Sequence, residues 1–134
     1  RRPWVKVVDM VRRGEIYLVE FEPVKGSEQG GLRPALVVQQ DVGNQNSPTT
    51  VVAAISRTIP PHSYPFVVLV EPEESGLAER SVVNCPGMAT IQQEGPASRL
   101  RPLRNEREVR PIGRLSLEKM TEVESALKYN LGLH

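Results

Sequence analysis

Apolar residues along this chain come in short bursts separated by turn formers, and only the last twenty residues depart from that habit. Gly14 to Glu22 reads Gly-Glu-Ile-Tyr-Leu-Val-Glu-Phe-Glu, is rich in β formers, and stops at Pro23, which has no N–H to give a ladder. It predicts a first strand. A glycine-rich loop, Lys25 to Gly31, follows; then Pro34 to Gln39 and Val51 to Ser56 form two apolar runs divided by the turn-rich Asp41 to Pro48. Tyr64 to Val70, Ser81 to Asn84 and Met88 to Gln92 predict three more strands, with Pro72 and Gly76 marking the connection after the first of them. So many short strands in so short a span specify a small barrel or strongly curled antiparallel sheet. Glu94 to Arg110 holds Gly95, Pro96, Pro102 and many charges without a sustained period, and is expected to be a loop or a broken helix. Past Pro111 the period changes: Leu115, Met120, Val123, Leu127 and Leu131 recur at helical spacing, with Ser116 as N-cap, Lys128 in the last turn and Gly132 as terminator. The pattern is β-rich α+β with a C-terminal helix.

At 134 residues the chain fits one domain, expected over 12–134, behind an N-terminal extension at 1–11. Met10 offers an alternative start, which leaves residues 1–9 either native or appended. With two Phe, three Tyr and one Trp, the core must be built from Val, Leu, Ile and Ala. One Cys cannot close an internal disulfide, and two His with two Asp make a metal site hard to assemble, so neither metal nor cofactor is expected. No run of eighteen apolar residues and no charged-then-apolar leader occurs, so no membrane association is expected and the location reads as cytoplasmic. The net charge of +1 conceals a basic start, an acidic middle and a basic tail. Most of the 17 basic residues are Arg, which grips phosphate bidentately but is equally at home in surface ion pairs.

Between a strand that opens Arg13-Gly14-Glu15-Ile16-Tyr17 and a strand Ala35-Leu36-Val37-Val38 lies Gly26-Ser27-Glu28-Gln29-Gly30-Gly31-Leu32-Arg33-Pro34. With Asp41-Val42-Gly43-Asn44, Ser47-Pro48-Thr49, Val52-Ala53-Ala54-Ile55-Ser56, Tyr64-Pro65-Phe66, Ser81-Val82-Val83 and Leu131-Gly132-Leu133, this string closely resembles the MazF/PemK toxins. The resemblance implies a CcdB/PemK-like fold, a small SH3-like barrel with a C-terminal helix, assembled as a homodimer. It further implies cleavage of single-stranded RNA at short sequence motifs without metal, and silencing by a cognate antitoxin.

RNA carries its own nucleophile, the 2′-hydroxyl beside the scissile phosphate, so such an enzyme must orient it in line, neutralise phosphorane charge and manage two protons. By the resemblance Arg33 is the catalytic arginine, and Ser56 stands where relatives usually carry a Thr whose hydroxyl assists at the phosphate. Glu28 matches an acidic residue on which activity depends, either as acceptor of the 2′-hydroxyl proton or as a support for the loop. Ser27, Gln29, Gly30, Gly31, Thr49 and Arg57 are the RNA-binding residues implied. Taken alone, the glycines fit an ordinary hairpin loop, Ser56 and Thr49 fit strand-end hydroxyls bonded to nearby backbone, and His62 fits a solvated turn.

Two stretches depart from the family pattern. The Arg-rich segment from Arg99 to Arg114 is longer than usual, and reads either as a solvated loop balanced by Glu106 and Glu108 or as an arm that binds RNA backbone. Pro86-Gly87 replaces an acidic-Gln pair that contacts bases in relatives, so an inherited sequence preference is not implied. The rival reading is a CcdB-like protein that inhibits DNA gyrase by binding and cleaves nothing.

Overall fold

Strand-forming residues dominate the middle of the chain, and their alternation sorts them onto two faces of one sheet. The computed structural model describes residues 10–21 and 31–133. The strands are β1 (Glu15–Phe21), β2 (Gly31–Val37), β3 (Thr49–Ser56), β4 (Val67–Val70), β5 (Ser81–Gln92), β6 (Leu100–Arg101) and β7 (Gly113–Arg114). Three helices interrupt them: α1 (Asp41–Asn46), α2 (Pro72–Ser75) and α3 (Leu117–Leu131). Every pairing between these strands is antiparallel, in the order β4-β5-β3-β2-β1-β6, and β7 shares the outer edge of β1 with β6. No described helix is long and apolar enough to cross a membrane.

One face of the sheet carries Ile16, Leu36, Ala53, Ile55, Val68, Val70 and Val83, and against it pack Leu115 and the α3 residues Met120, Val123 and Ala126. The other face carries Tyr17, Val19, Ala35, Val37 and Val52, closed by Val11, Ile91 and Leu100. Val11, the last full position of the expected N-terminal extension, is therefore part of the core, whereas residues 1–9 lie outside the described residues. Helix α3 forms as its caps specify: Ser116 Oγ accepts the Lys119 N–H at 3.1 Å and Gly132 closes the far end. Leu131 is 55% exposed, so the apolar stripe stops a turn earlier than the periodicity predicts and Ala126 takes part in the core instead.

Four expectations are corrected. Asp41 to Pro48 is not simply a turn but contains α1, a helix that its Gly and Asn content disfavours. Side chains hold it: fully buried Asn44 accepts from Gln39 Nε2 at 3.0 Å and from Thr50 Oγ1 at 2.6 Å, while its carbonyl accepts from buried Gln93 Nε2 at 2.9 Å. The runs at Ser81 to Asn84 and Met88 to Gln92 are one strand, because the intervening Pro86 sits in a bulge where the β3–β5 register jumps from Ala53↔Met88 to Ile55↔Val83. Tyr64 to Phe66 precede β4 as a turn, closed by the Val67 N–H on the Tyr64 carbonyl. Glu94 to Arg110 is mostly loop, yet it lays β6 on β1.

Cys85 lies in the first cluster, fully buried, and burial pushes its thiol from 9.0 up to about 11. Above pH 9 the unfolded chain sheds the thiol proton while the folded chain keeps it, so this contribution to stability is complete below pH 9 and is lost as pH climbs toward 11. Denaturation midpoints of the parent and Cys85→Ala, compared at about pH 8 and about pH 10.5, should converge as the thiol penalty grows in the parent. A parent-to-variant gap independent of pH would contradict that.

Candidate active site

A proline inside a central strand is the local cause of the site. In β2 the Val37 carbonyl accepts the Gly14 N–H at 2.9 Å, which turns Val37, and by alternation Ala35 and Arg33, toward β1. Leu36 and Pro34 therefore face β3. The β2–β3 ladder runs from Val37↔Val52 to Ala35↔Ala54 and stops, because its next bond would need an N–H that Pro34 does not have. On the other side β2 stays laddered to β1 through Pro34, Arg33, Leu32 and Gly31. Gly31, at φ 109°, adopts a backbone conformation closed to most L side chains.

Where the ladder ends, a cleft of about 380 Å³ opens, walled by Leu32, Arg33 and Pro34 of β2, by Ile55 and Ser56 of β3, and by Arg57 and Thr58 just beyond. The α2–β5 connection, Leu77 to Glu79, and Ser81 complete it. Extending the β2–β3 register by two residues sets Arg33 opposite Ser56. Arg33 pairs with Val19 and so shares its side of the sheet, and Ser56, the neighbour of Ile55, alternates onto that same side, away from α3. Ser56 Oγ accepts the Thr58 N–H at 3.0 Å, which fixes the oxygen and leaves its own proton available to donate. Arg57 Nη1 meets Glu79 Oε2 at 3.1 Å with both side chains largely exposed, an ion pair worth under about 1 kcal/mol that an incoming anion can displace.

Thus the structure brings Arg33, Ser56 and Arg57 to one cleft. It does not bring Thr49 there. Thr49 begins β3, seven residues before Ser56 and roughly 23 Å away along an extended strand, with its hydroxyl bonded to Ser47 Oγ at 2.9 Å. Gly31 opens β2 two positions before Arg33. Ser27, Glu28, Gln29 and Gly30 lie outside the described residues. The third wall, Leu77 to Ser81 with Glu79 set against Arg57, was not anticipated from sequence; the Gly76 turn ahead of a lone acidic residue was its only local signal. In the Arg-rich segment, Arg101 Nε donates to Glu20 of β1 at 2.8 Å and ties β6 to that strand, while Arg110 pairs with both Glu106 and Glu108 within the loop. Among the described residues no group of three or more His, Cys, Asp or Glu side chains could hold a metal ion.

A curled antiparallel sheet with a C-terminal helix packed against one face is the CcdB/PemK-like toxin fold. Residues 12–131 match the family of PemK-like, MazF-like toxins of type II toxin–antitoxin systems, and the chain belongs to that family. It is 39% identical over 125 residues to an endoribonuclease MazF of Staphylococcus saprophyticus, covering 93% of this chain and 94% of that protein. Among solved structures, a MazE–MazF complex from Deinococcus radiodurans superposes with a TM-score of 0.68 at 21% identity, over 94% of this chain and 99% of that one. An endoribonuclease in complex with its cognate antitoxin, from a mycobacterial species, superposes at 0.64 with 20% identity, over 92% and 97% of the two chains.

Proposed function

We propose that this toxin cleaves single-stranded RNA at the Arg33–Ser56 cleft by transesterification that the RNA itself begins. The protein is an endoribonuclease toxin of a toxin–antitoxin system. The observation that carries the site reading is the meeting of a guanidinium and an oriented hydroxyl in one cleft, brought there by register. The 2′-oxygen attacks phosphorus as it loses its proton, the P–O5′ bond breaks as O5′ takes up a proton from the Arg33 guanidinium or from water, and the products are a 2′,3′-cyclic phosphate and a 5′-hydroxyl. Arg33 can bind two non-bridging oxygens as their charge grows, and the Ser56 hydroxyl donates to one of them. A guanidinium stays protonated, so it makes a poor base; Glu28 is the proposed acceptor of the 2′-hydroxyl proton or the support for the loop that leads to Arg33. Gly31 and Arg57 guide the backbone into the cleft, together with Ser27, Gln29 and Gly30.

Tyr129, Leu131 and Leu133 are exposed together at the end of α3 and offer apolar surface for assembly as a homodimer. The expected partner is a cognate antitoxin whose acidic, apolar segment competes for the arginines of the cleft, and the site of action is the cytoplasm, where the RNA is. Incubating the protein with a long RNA in EDTA and sequencing the new 5′ ends tests the reading: cuts at a recurrent short motif, with 5′-hydroxyl termini, are expected. Intact RNA alongside inhibition of DNA gyrase would overturn it in favour of a binding poison.

A further inference from the structure

Cleavage chemistry leaves unused a group of rings in the segment that carries the chain from β3 to β4. Phe66 and Tyr64 are stacked, centroids 5.2 Å apart and planes inclined by 15°, and His62 stands nearly perpendicular to Tyr64 at 6.4 Å. His62 and Tyr64 are exposed and Phe66 is half-buried beneath them. Three rings in contact within five residues, in a chain with so few aromatics, are not there to fill the core. Exposed rings of this kind normally lose contact with one another unless they are anchored, and these are anchored at the foot: the Phe66 carbonyl accepts the Cys85 N–H at 3.1 Å and Val67 pairs with Asn84.

The position relative to the cleft matters more than the rings themselves. Arg57 and Thr58, at the start of this segment, line the cleft, and so does Ser81 of β5. Ser56 pairs with Val82 while Val67 pairs with Asn84, so the foot of the ring group lies two residues further along β5 and two strand spacings across from Ser56. That is roughly 12 Å, a gap an unpaired strand spans in a few nucleotides. Proteins that hold single strands alternate cationic contacts to phosphates with ring faces for bases, because every base has a π-face. An aliphatic peptide would be served equally well by leucines; parallel rings beside an arginine cleft select a flat, unpaired base.

We propose that Tyr64, backed by Phe66 and braced by His62, is a base-stacking platform for a nucleotide of the RNA strand a few positions from the scissile phosphate. The inference rests on the reading of the cleft as the RNA cleavage site. It adds an affinity- and specificity-determining subsite, with no part in bond breaking.

The test uses full-length protein, an oligonucleotide with a 2′-deoxy residue at the cut position to prevent cleavage, and one fixed salt concentration. Tyr64→Leu, which keeps bulk without the ring, should weaken binding roughly 5- to 100-fold, and Tyr64→Phe should bind like the parent. On cleavable RNA the loss should fall on KM with kcat little changed. An abasic nucleotide walked along the strand should weaken the parent at one position and leave the Tyr64→Leu variant indifferent there. Equal affinities of parent and Tyr64→Leu, with the parent cutting RNA normally, would overturn the platform alone. A Tyr64→Phe loss as large as that of Tyr64→Leu would assign the effect to the hydroxyl and also overturn it. A parent that neither binds nor cuts RNA would overturn the nuclease reading, and the platform with it.

Discussion

Arg33→Ala should lower single-turnover RNA cleavage by about 10³-fold or more while leaving the fold intact. The size follows from what the guanidinium is asked to do. Negative charge on the non-bridging oxygens rises between ground state and phosphorane, and a fixed bidentate donor gains most when that charge peaks, so its loss falls on kcat rather than on binding. Arg33→Lys keeps the charge but loses the planar fork, and should recover only part of the rate. Arg33 pairs with Val19 through backbone, which any L residue can continue, so thermal melts of parent and variants should nearly coincide. Cleavage by Arg33→Ala at the parental rate would remove Arg33 from the chemistry, whatever the protein still did to RNA.

Gly113→Ala should be the most damaging small substitution to stability. A β-carbon there would lie 2.0 Å from the Ser75 carbonyl oxygen and 2.7 Å from its carbon, both backbone atoms. The contact is mutual, since a β-carbon on Gly76 would lie 2.5 Å from the Ile112 carbonyl oxygen. Neither side has a flexible end to swing away, so β7 must leave β1 or α2 must leave β7. A loss of roughly 3 kcal/mol is expected, at the upper end for overpacking, lowering Tm by about 10 °C. Denaturant titration gives the value, and a midpoint unchanged from the parent would show that the two backbones are not held in contact. Because Ser75 and Gly76 lead directly into the Leu77 to Ser81 wall, surviving Gly113→Ala protein should also show a raised KM for RNA.

Arg33, Ser56 and Glu28 stand out by resemblance to the family and by no periodicity in the chain; what alternation and register account for is the meeting of Arg33 and Ser56, one just before a buried run and the other at the end of the run that pairs with it. Helix α3 was legible because its caps and its stripe agree. Other elements were decided elsewhere. Pro86 reads as a strand breaker and becomes harmless only once the facing strand supplies a register jump. Helix α1 has poor intrinsic propensity, and only the distant Gln93 and Thr50 make a helix there the way to satisfy Asn44. Strands β6 and β7 are two residues long, too short to show a period, and exist because β1 has a free edge. The third wall of the cleft comes from a segment far from Arg33 in sequence, and the Gly76 turn ahead of Glu79 is too weak a local signal to place it there.

Pro34 gives the cleft its mechanical character. Two neighbouring strands would ordinarily zip shut, and here one imino acid withholds the proton that the next tooth requires. On the proposed reading, substrate meets a gap between β2 and β3 that already stands among the described residues, with no ladder to break. Speed of capture should then follow diffusion and ionic strength, and evolution can retune what is cut by redecorating the rims while the jaw itself stays fixed.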